Sequence, residues 1–276
     1  MLTYHTPETA TELVTLRAEH GSASLLMGGG TIVMTLLNEG VPLPRIVIGM
    51  KRAGLDTISE DDGSKLIGAA TTLATLTSDP HPMLSEAAAS CGGWAIRNMA
   101  TIGGNLFVPA PSGDLGVALL ALDASLRIDS VDGHRLVPID DFYRGGRSLD
   151  EREVLTGIEV PTTEKETRFI KFGRKHGPTP SVVTVAISLR LENGTVSESR
   201  IALGALGPHP VRARRAESLL DGNELDPALV EEVAAAAADD FEGLTDAVAS
   251  AWYRKRMARL HVKRLLEEVM SETHSG

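Results

Sequence analysis

The chain has 276 residues, of which 42% are hydrophobic and 23% are charged, and its formal net charge at pH 7 is −10. This length and composition are typical of a globular protein with one large or two ordinary domains. The negative charge argues against nucleic acid as a partner, because binding to a phosphate backbone needs a basic surface. One local basic cluster, residues 212–215, is interpreted as the solvated face of a helix, with docking to a partner subunit as the alternative.

Several other classes are excluded by simple features of the sequence. No apolar run approaches ~18 residues, so no membrane span is expected. The N-terminal residues lack the basic and apolar regions of an export signal, and we expect a cytoplasmic protein. Cys91, the single cysteine, can neither form an internal disulfide nor ligate an iron–sulfur cluster, and we expect a buried, inert thiol. The histidines are scattered, so no metal is expected on this chain.

The first half of the chain is predicted to alternate short helices and strands. Thr6 is predicted to cap a helix that ends near His20, with Pro7 at its first position. Hairpins are predicted around Asp62-Gly63 and Asp132-Gly133. The other predicted elements are strands at 24–27 and 45–48, helices at 32–38, 82–89 and 115–122, a short helix capped by Thr71 or Thr72, and a loop and strand at 144–160.

The second half is predicted to contain an antiparallel sheet followed by helices. Apolar residues alternate strictly with small or polar ones over 183–191, which indicates a half-buried strand. Asn193-Gly194 is predicted to turn this strand into a returning one at 201–206. Helices are predicted from Pro210 to 221–222, from Pro227 onward, and over 252–270. These elements indicate an α+β protein with a domain at 1–165, divided approximately into 1–55 and 56–165, and a second domain at 166–276.

Two glycine-rich segments are the most informative motifs. The first, Gly28-Gly29-Gly30, lies between a predicted strand and a predicted helix, where free backbone N–H groups and the positive helix end favour an anion. The second, residues 101–105, is predicted as a turn in which glycines allow close approach and polar side chains face a ligand. Together they indicate an elongated phosphate-bearing ligand, whereas the alternative is two ordinary turns. The Rossmann and P-loop fingerprints are both absent.

Six short motifs follow one another along nearly the whole chain. They are GGT at 29–31, LIGAATT at 66–72, IRN followed by TIGGN at 96–105, ALLALDA at 118–124, GIEVP at 157–161 and KFGR at 171–174. Through these motifs the chain resembles the FAD-binding medium subunit of the molybdenum hydroxylases, the group of xanthine dehydrogenase and aerobic carbon monoxide dehydrogenase.

The resemblance implies a vanillyl-alcohol-oxidase (PCMH) type of FAD-binding domain, with FAD between its two halves and the C-terminal domain of the flavoprotein subunit. It implies that the two glycine segments together hold the pyrophosphate and ribityl chain, the first mostly through backbone N–H groups and the second with added side-chain hydrogen bonds from Thr101 and Asn105. Asp114 corresponds to a carboxylate near the adenosine half or the ring. Lys171 has a chemical reason to line the flavin, because a cation stabilises the reduced ring; a surface lysine is the alternative. The implied FAD-binding residues are Leu26, Met27, Gly28, Gly29, Gly30, Thr31, Ile32, Val33, Thr101, Gly103, Gly104, Asn105, Asp114, Leu155 and Lys171.

The resemblance also implies a place in a larger enzyme. FAD would be bound by this chain, and [2Fe-2S] clusters and the molybdenum cofactor would lie on a small and a large partner subunit, in a dimer of heterotrimers. Electrons would reach FAD from the iron–sulfur partner and leave to NAD⁺, a quinone or oxygen. No nucleophile with its base points to catalytic residues on this chain. Two alternatives stay open: a stand-alone FAD oxidoreductase of the same fold, and a flavin-free assembly subunit.

Overall fold

Three stretches of chain form each of the two units of the structure. The computed structural model describes residues 2–61, 63–162, 164–175, 177–192 and 194–273. Unit 1 consists of Met1–Ser78, Gly92–Val108 and Asp123–Thr162, and unit 2 of Asp79–Cys91, Pro109–Leu122 and Thr163–Gly276. Two segments that precede residue 166 therefore belong to unit 2. The predicted boundary at residues 165/166 refers to domains defined by sequence, whereas these units are defined by compactness. The boundary therefore stays a prediction.

A three-stranded parallel sheet forms one part of unit 1. Its strands are β1 (Thr3–His5), β2 (Ser24–Met27) and β3 (Ile46–Gly49), in the order β1-β3-β2. Parallel strands need crossover connections, which contain α1 (Ala10–His20) and α2 (Val33–Asn38). The prediction of Thr6 as the cap of the first helix is wrong. Thr9 caps it by accepting from the Glu12 N–H at 3.1 Å, as the capping-box spacing favours, so Pro7 lies outside the helix.

A five-stranded antiparallel sheet forms the other part of unit 1, in the order β4-β5-β8-β6-β7. Its strands are β4 (Ile58–Asp61), β5 (Ser64–Gly68), β6 (Ser125–Ser130), β7 (Gly133–Pro138) and β8 (Val154–Pro161). Both predicted hairpins are present as strand pairs, β4 with β5 and β6 with β7. Asp62 of the first predicted turn lies outside the described residues.

Four short helices complete the described part of unit 1. They are α3 (Leu73–Leu76), α5 (Trp94–Arg97), α6 (Ile102–Leu106) and α8 (Ile139–Arg144). The predicted cap of α3 is confirmed at Thr72, whose side chain accepts from the Thr75 N–H. The helices α5, α6 and α8 were not predicted, because each is too short to show an apolar period in the sequence.

Unit 2 is built on a four-stranded antiparallel sheet in the order β12-β11-β10-β9. Its strands are β9 (Glu166–Gly173), β10 (Ser181–Glu192), β11 (Thr195–Gly204) and β12 (Val211–Arg212), and its helices are α4 (Pro82–Ser90), α7 (Leu115–Ala121), α9 (Arg214–Leu220), α10 (Pro227–Asp239) and α11 (Ala251–Thr273). Asn193, in the predicted turn between β10 and β11, lies outside the described residues. The strand pair itself is present as predicted.

The prediction that the strand at 183–191 is half-buried is wrong, because helices cover both faces of this sheet. Residues 181–189 are all buried. Val183 and Val185 belong to one apolar core with Met257 of α11, whereas α7 packs on β10 and β11 from the other side. An alternating pattern therefore marks two different buried faces here, one apolar and one with small and hydroxyl side chains.

The basic cluster at 212–215 is not one helix face, contrary to the prediction. Val211 and Arg212 pair with β11 as a short strand, so the helix after Pro210 begins only at Arg214. The Arg212 guanidinium is largely buried and forms an ion pair with Glu217 at 2.7 Å. Arg214 and Arg215 do lie at exposed helical positions. Among the described residues, no helix combines the length and apolar character needed to cross a bilayer.

Candidate functional site

The first glycine segment follows directly on the carboxyl end of β2. Gly28, Gly29 and Gly30 connect this strand to α2, as the sequence predicts. Gly30 has a φ of +73°, a conformation that residues with a Cβ rarely adopt. The segment is half-buried, and Ile32 just beyond it is 44% exposed. Ligands of sheets with parallel strands commonly bind outside the carboxyl ends of those strands.

The two glycine-rich segments lie against each other. A Cβ on Gly28 would lie 2.6 Å from the Thr101 hydroxyl oxygen, and one on Gly29 would lie 1.6 Å from the Met99 carbonyl oxygen. No real Cβ fits at such distances, so these two glycines are needed for contact between the segments themselves. The structure thus brings together the two halves of the predicted site in unit 1, and it explains two of the glycines without any ligand.

The second glycine segment is a helix, and its prediction as a turn is wrong. Thr101 caps α6, and its hydroxyl accepts from the Gly104 N–H at 3.1 Å. The N–H groups of Ile102, Gly103 and Asn105 donate to carbonyl oxygens of the chain at 2.9–3.0 Å. A Cβ on Gly103 would lie 2.8 Å from the Ala69 carbonyl oxygen, so this glycine also serves internal contact. The backbone N–H groups of residues 102–105 are therefore already used.

The first segment, in contrast, has a row of unused donors. Within the described ranges, the backbone N–H groups of residues 28–33 have no hydrogen-bond acceptor. The carbonyl of Gly30 does accept from the Met34 N–H at 2.9 Å, which starts α2. Successive N–H groups in a tight turn form an anion-binding concavity. The segment therefore fits a pyrophosphate such as that of FAD, and it does so through the backbone.

Leu155 is the remaining predicted site residue of unit 1. It lies in β8, is 3% exposed, and pairs with Ile128 of β6. The carbonyl of the next residue, Thr156, accepts from the Ala69 N–H at 2.9 Å. Because the Ala69 carbonyl accepts in turn from Gly103, β8 is connected to α6 through a single residue.

Asp114 and Lys171 form a buried ion pair in unit 2. The Lys171 ammonium donates to Asp114 Oδ2 at 2.7 Å and to the Ser90 carbonyl at 3.0 Å. Asp114 Oδ1 accepts from the hydroxyls of Ser181 and Thr184, each at 2.5 Å. The predicted residues are thus brought together, and two hydroxyl residues that the sequence did not single out complete the cluster. We call these four side chains the Asp114 cluster.

The sheet of unit 2 places these side chains on one face. Thr184 pairs directly with Lys171, and Ser181 pairs with Gly173. An extra residue at Val182 shifts the register, and such bulges re-aim side chains. Because Lys171 and Gly173 share a face of β9, the shift puts Ser181 and Thr184 on the same face, although Thr184 lies an odd number of positions, three, after Ser181.

Gly204 lets α7 approach this face. A Cβ on Gly204 would lie 2.6 Å from a methyl carbon of Val117 and 3.2 Å from Cβ of Thr184. The close approach at Val117 brings the start of α7, and with it Asp114, down to Thr184. Nothing in the local sequence of 204 or 184 marks this contact, which explains why the hydroxyl residues were missed.

Cys91 lies at the end of α4, near the Asp114 cluster. Burial raises the pKa of its thiol to about 12, and the negative charge of Asp114 acts in the same direction. A thiol that stays protonated is a poor nucleophile. The prediction that this thiol is buried is confirmed, and its raised pKa is consistent with the predicted inertness.

Comparison with known proteins gives the same assignment over the whole chain. Residues 1–163 match the FAD binding domain in molybdopterin dehydrogenase, and residues 168–269 match the CO dehydrogenase flavoprotein C-terminal domain. The chain is 34% identical to the putative xanthine dehydrogenase FAD-binding subunit of Escherichia coli K12, over 98% of this chain and 94% of that one. It is 32% identical to the carbon monoxide dehydrogenase medium chain of Hydrogenophaga pseudoflava, over 95% of each chain.

Solved structures agree with the sequence comparison. A structure of carbon monoxide dehydrogenase from Hydrogenophaga pseudoflava superposes with a TM-score of 0.91 at 32% identity, covering 96% of each chain. Quinoline 2-oxidoreductase from Pseudomonas putida 86 superposes with a TM-score of 0.89 at 25% identity. The predicted α+β fold and the prediction of FAD as cofactor are confirmed. The chain belongs to the family of FAD-binding subunits of molybdenum-dependent dehydrogenases, which includes xanthine dehydrogenase and carbon monoxide dehydrogenase.

Proposed function

We propose that this chain carries electrons, through its FAD, from an iron–sulfur partner subunit to an external acceptor. The observation that supports a bound dinucleotide most directly is the row of unused N–H groups at residues 28–33. FAD supplies the redox chemistry when bound, since a flavin can take up electrons singly and release them as a pair. The chain's own part is to bind, orient and tune this group.

The residues proposed to hold FAD divide by the chemistry they offer. Residues Leu26 to Val33 are proposed to hold the pyrophosphate, with the backbone N–H groups of residues 28–33 as the donors. At α6, Thr101 and Asn105 offer polar side chains, while Gly103 and Gly104 have no side chain that would block a ligand. Leu155 offers an apolar side chain. Asp114 and Lys171 enter the proposal as a pair, because the structure joins their charges.

Lys171 contributes a positive charge whose position within unit 2 is fixed by hydrogen bonds. An ammonium group has three donors, and here two of them are used by Asp114 and by the Ser90 carbonyl. The side chain is 11% exposed, so the charge is neither fully enclosed nor free to rotate. A cation held in this way favours negative charge on a flavin ring beside it.

The partners are proposed from the names of the relatives. The similar proteins are described as medium chains or FAD subunits, which are parts of larger enzymes. We propose a small iron–sulfur subunit as electron donor and a large molybdenum subunit that converts the substrate, in a dimer of heterotrimers in the cytoplasm. The substrate would be decided by the large subunit and not by this chain.

Purification from the native source, with identification of partners and cofactors, tests this proposal. FAD eluting together with an iron–sulfur chain and a molybdenum chain is the expected result. Flavin-bearing protein that elutes alone and turns over a substrate would replace the proposal by a stand-alone oxidoreductase. A chain that elutes without flavin, even after FAD is supplied, would instead indicate an assembly subunit.

A further inference from the structure

We propose that Ser181 and Thr184 are positioning residues that hold Asp114 so that the Lys171 ammonium keeps a fixed direction toward bound FAD. This inference rests on the proposed function, because it takes Lys171 to lie beside the flavin. The two hydroxyl residues have no role in the proposed binding itself. Their effect would pass through Asp114 to Lys171.

The Asp114 carboxylate is held more firmly than an ordinary ion pair requires. Asp114 is 5% exposed, and a buried carboxylate is costly unless its oxygens are hydrogen-bonded. Among the residues that the structure describes, Lys171 alone donates to Oδ2, while Ser181 and Thr184 both donate to Oδ1 at 2.5 Å. Bonds from two directions fix the plane of the carboxylate, and this plane determines where Oδ2 meets the ammonium.

The backbone of Ser181 is itself held in place by two hydrogen bonds. Its N–H donates to the Pro111 carbonyl at 3.1 Å, and its carbonyl accepts from the Arg254 guanidinium at 2.9 Å. Arg254 is fully buried and forms an ion pair with Asp246 at 2.7 Å. A serine that is anchored through both backbone groups cannot follow a carboxylate that moves, so it acts as a fixed donor.

Thr184 is fixed by the sheet and by α7. It pairs with Lys171 across the strands and with Gly204 on its other side. The carboxylate and the ammonium that it influences are therefore both neighbours of one residue. Beyond the two acceptors already named, the Lys171 ammonium has no further hydrogen-bond partner within the described ranges, so one donor is left for a ligand.

The competing explanation is that the cluster only stabilises the fold. Buried ion pairs often contribute little to stability compared with apolar residues of the same size, and stability alone cannot separate the two explanations. The midpoint potential of bound FAD can separate them. Removing a donor to Asp114 leaves more of the carboxylate's negative charge to offset the Lys171 charge, and it frees the carboxylate plane to turn. The flavin would then face less positive charge, which disfavours negative charge on the ring.

Thr184→Val, which removes the hydroxyl at nearly constant volume, is the decisive variant, and Thr184→Ser is its matched control. The full chain, loaded with FAD, is titrated by spectroelectrochemistry, and circular dichroism and thermal melting report folding. We expect Thr184→Val to lower the ratio of affinities for reduced and oxidised FAD about tenfold, which is a shift of about −30 mV for a two-electron couple. Thr184→Ser should keep the wild-type potential, and Ser181→Ala, an independent second variant, should shift it in the same direction as Thr184→Val.

Lys171→Met separates failure of this inference from failure of the proposed site. If Lys171→Met leaves both the FAD affinity and the potential unchanged, Lys171 is not beside the flavin and its proposed place is wrong. If Lys171→Met shifts the potential but Thr184→Val and Ser181→Ala do not, the positioning role is overturned while the site stands. Equal shifts in Thr184→Val and Thr184→Ser would also overturn it, since the hydroxyl would then be irrelevant. Should Thr184→Val fail to fold, Ser181→Ala alone decides.

Discussion

Gly30 offers a way to test the anion site with two side chains of the same shape. Its φ of +73° is a conformation that Asn and Asp tolerate better than other residues with a Cβ. A Cβ there would meet mainly flexible side chains, Met27 Sδ at 3.3 Å and Met34 Cγ at 3.5 Å. Gly30→Asn and Gly30→Asp should therefore cost the fold nearly the same, and they differ in one negative charge placed beside the row of N–H groups.

The size of the effect follows from the distance between this charge and the pyrophosphate. For unit charges about 6 Å apart, Coulomb's law gives about 0.7 kcal/mol in bulk water and about 3 kcal/mol at an effective dielectric constant of about 20. Each ~1.4 kcal/mol changes a dissociation constant tenfold. We therefore expect Gly30→Asp to bind FAD between ~3-fold and ~100-fold more weakly than Gly30→Asn.

The dissociation constant of FAD is measured for both variants by quenching of flavin fluorescence, at low salt and at about 1 M salt. Repulsion between exposed charges is screened at high salt, where the Debye length is about 3 Å, so the difference between the variants should shrink. The melting temperatures of the FAD-free variants serve as the control for folding. Equal affinities of the two variants at low salt, with equal melting temperatures, would refute the assignment of this segment to the pyrophosphate.

Three further predictions concern the internal chemistry of the chain. Gly29→Ala should destabilise the fold by about 1–3 kcal/mol or more, because its Cβ would lie 1.6 Å from the Met99 carbonyl oxygen. In the control Gly104→Ala, the atom nearest the new Cβ is the Thr101 hydroxyl oxygen at 3.1 Å. Equal melting temperatures of the two variants would contradict the packing argument. Burial, followed by the charge of Arg264, lowers the pKa of His261 below its usual 6.5. As the pH drops below about 6.5, the unfolded chain therefore takes up this proton before the folded chain does, and the free energy of unfolding should fall by at most ~1.4 kcal/mol per pH unit. His261→Leu should remove this pH dependence, as measured by urea titrations. Cys91, with a thiol pKa of about 12, should resist iodoacetamide at pH 8 until the chain is denatured, and rapid alkylation of the native chain would show that the thiol is accessible.

Local signals in the sequence were sufficient for much of the fold. Helix starts at Thr72, Pro82 and Pro227 were predictable because a cap or a proline acts within one turn of chain. The strand pair around residues 132–133 follows from its turn residues in the same way. These features need no knowledge of distant contacts, which is why they could be predicted from one sequence.

The candidate site was predictable in its residues but not in its connections. The pair of Asp114 with Lys171 joins positions 57 residues apart, and Ser181 joins it only because of an extra residue at Val182 in the register of two strands. Thr184 looked like a solvent-facing residue of an alternating strand, and only the position of α7 shows that it is buried. Such contacts depend on how elements pack, which no local pattern records.

The glycines also show that a local sequence pattern does not identify the contacts made in the fold. In the structure, Gly28 and Gly29 make room for another part of the chain and not for a ligand. The neighbours at these two positions are the Thr101 side chain and the backbone of Met99 and Ala100, so a ligand can use the backbone donors around the glycines but not the space beside them. A glycine in a sequence reports that space is needed, but it does not report what fills the space.

The passage of the chain between the two units has a consequence for how the protein is made. The chain passes from one unit to the other five times, at residues 78/79, 91/92, 108/109, 122/123 and 162/163. All seven residues of α7 are buried, yet the strands that pack on this helix, β10 to β12, begin only at Ser181. During synthesis at about 5–20 residues per second, the ribosome therefore releases an apolar helix several seconds before its sheet exists. A fragment that stops at the end of the FAD-binding domain would keep α4 against α7 but lack these strands, so we expect the face of α7 that packs on them to stay exposed and the domain to be a poor module for separate expression.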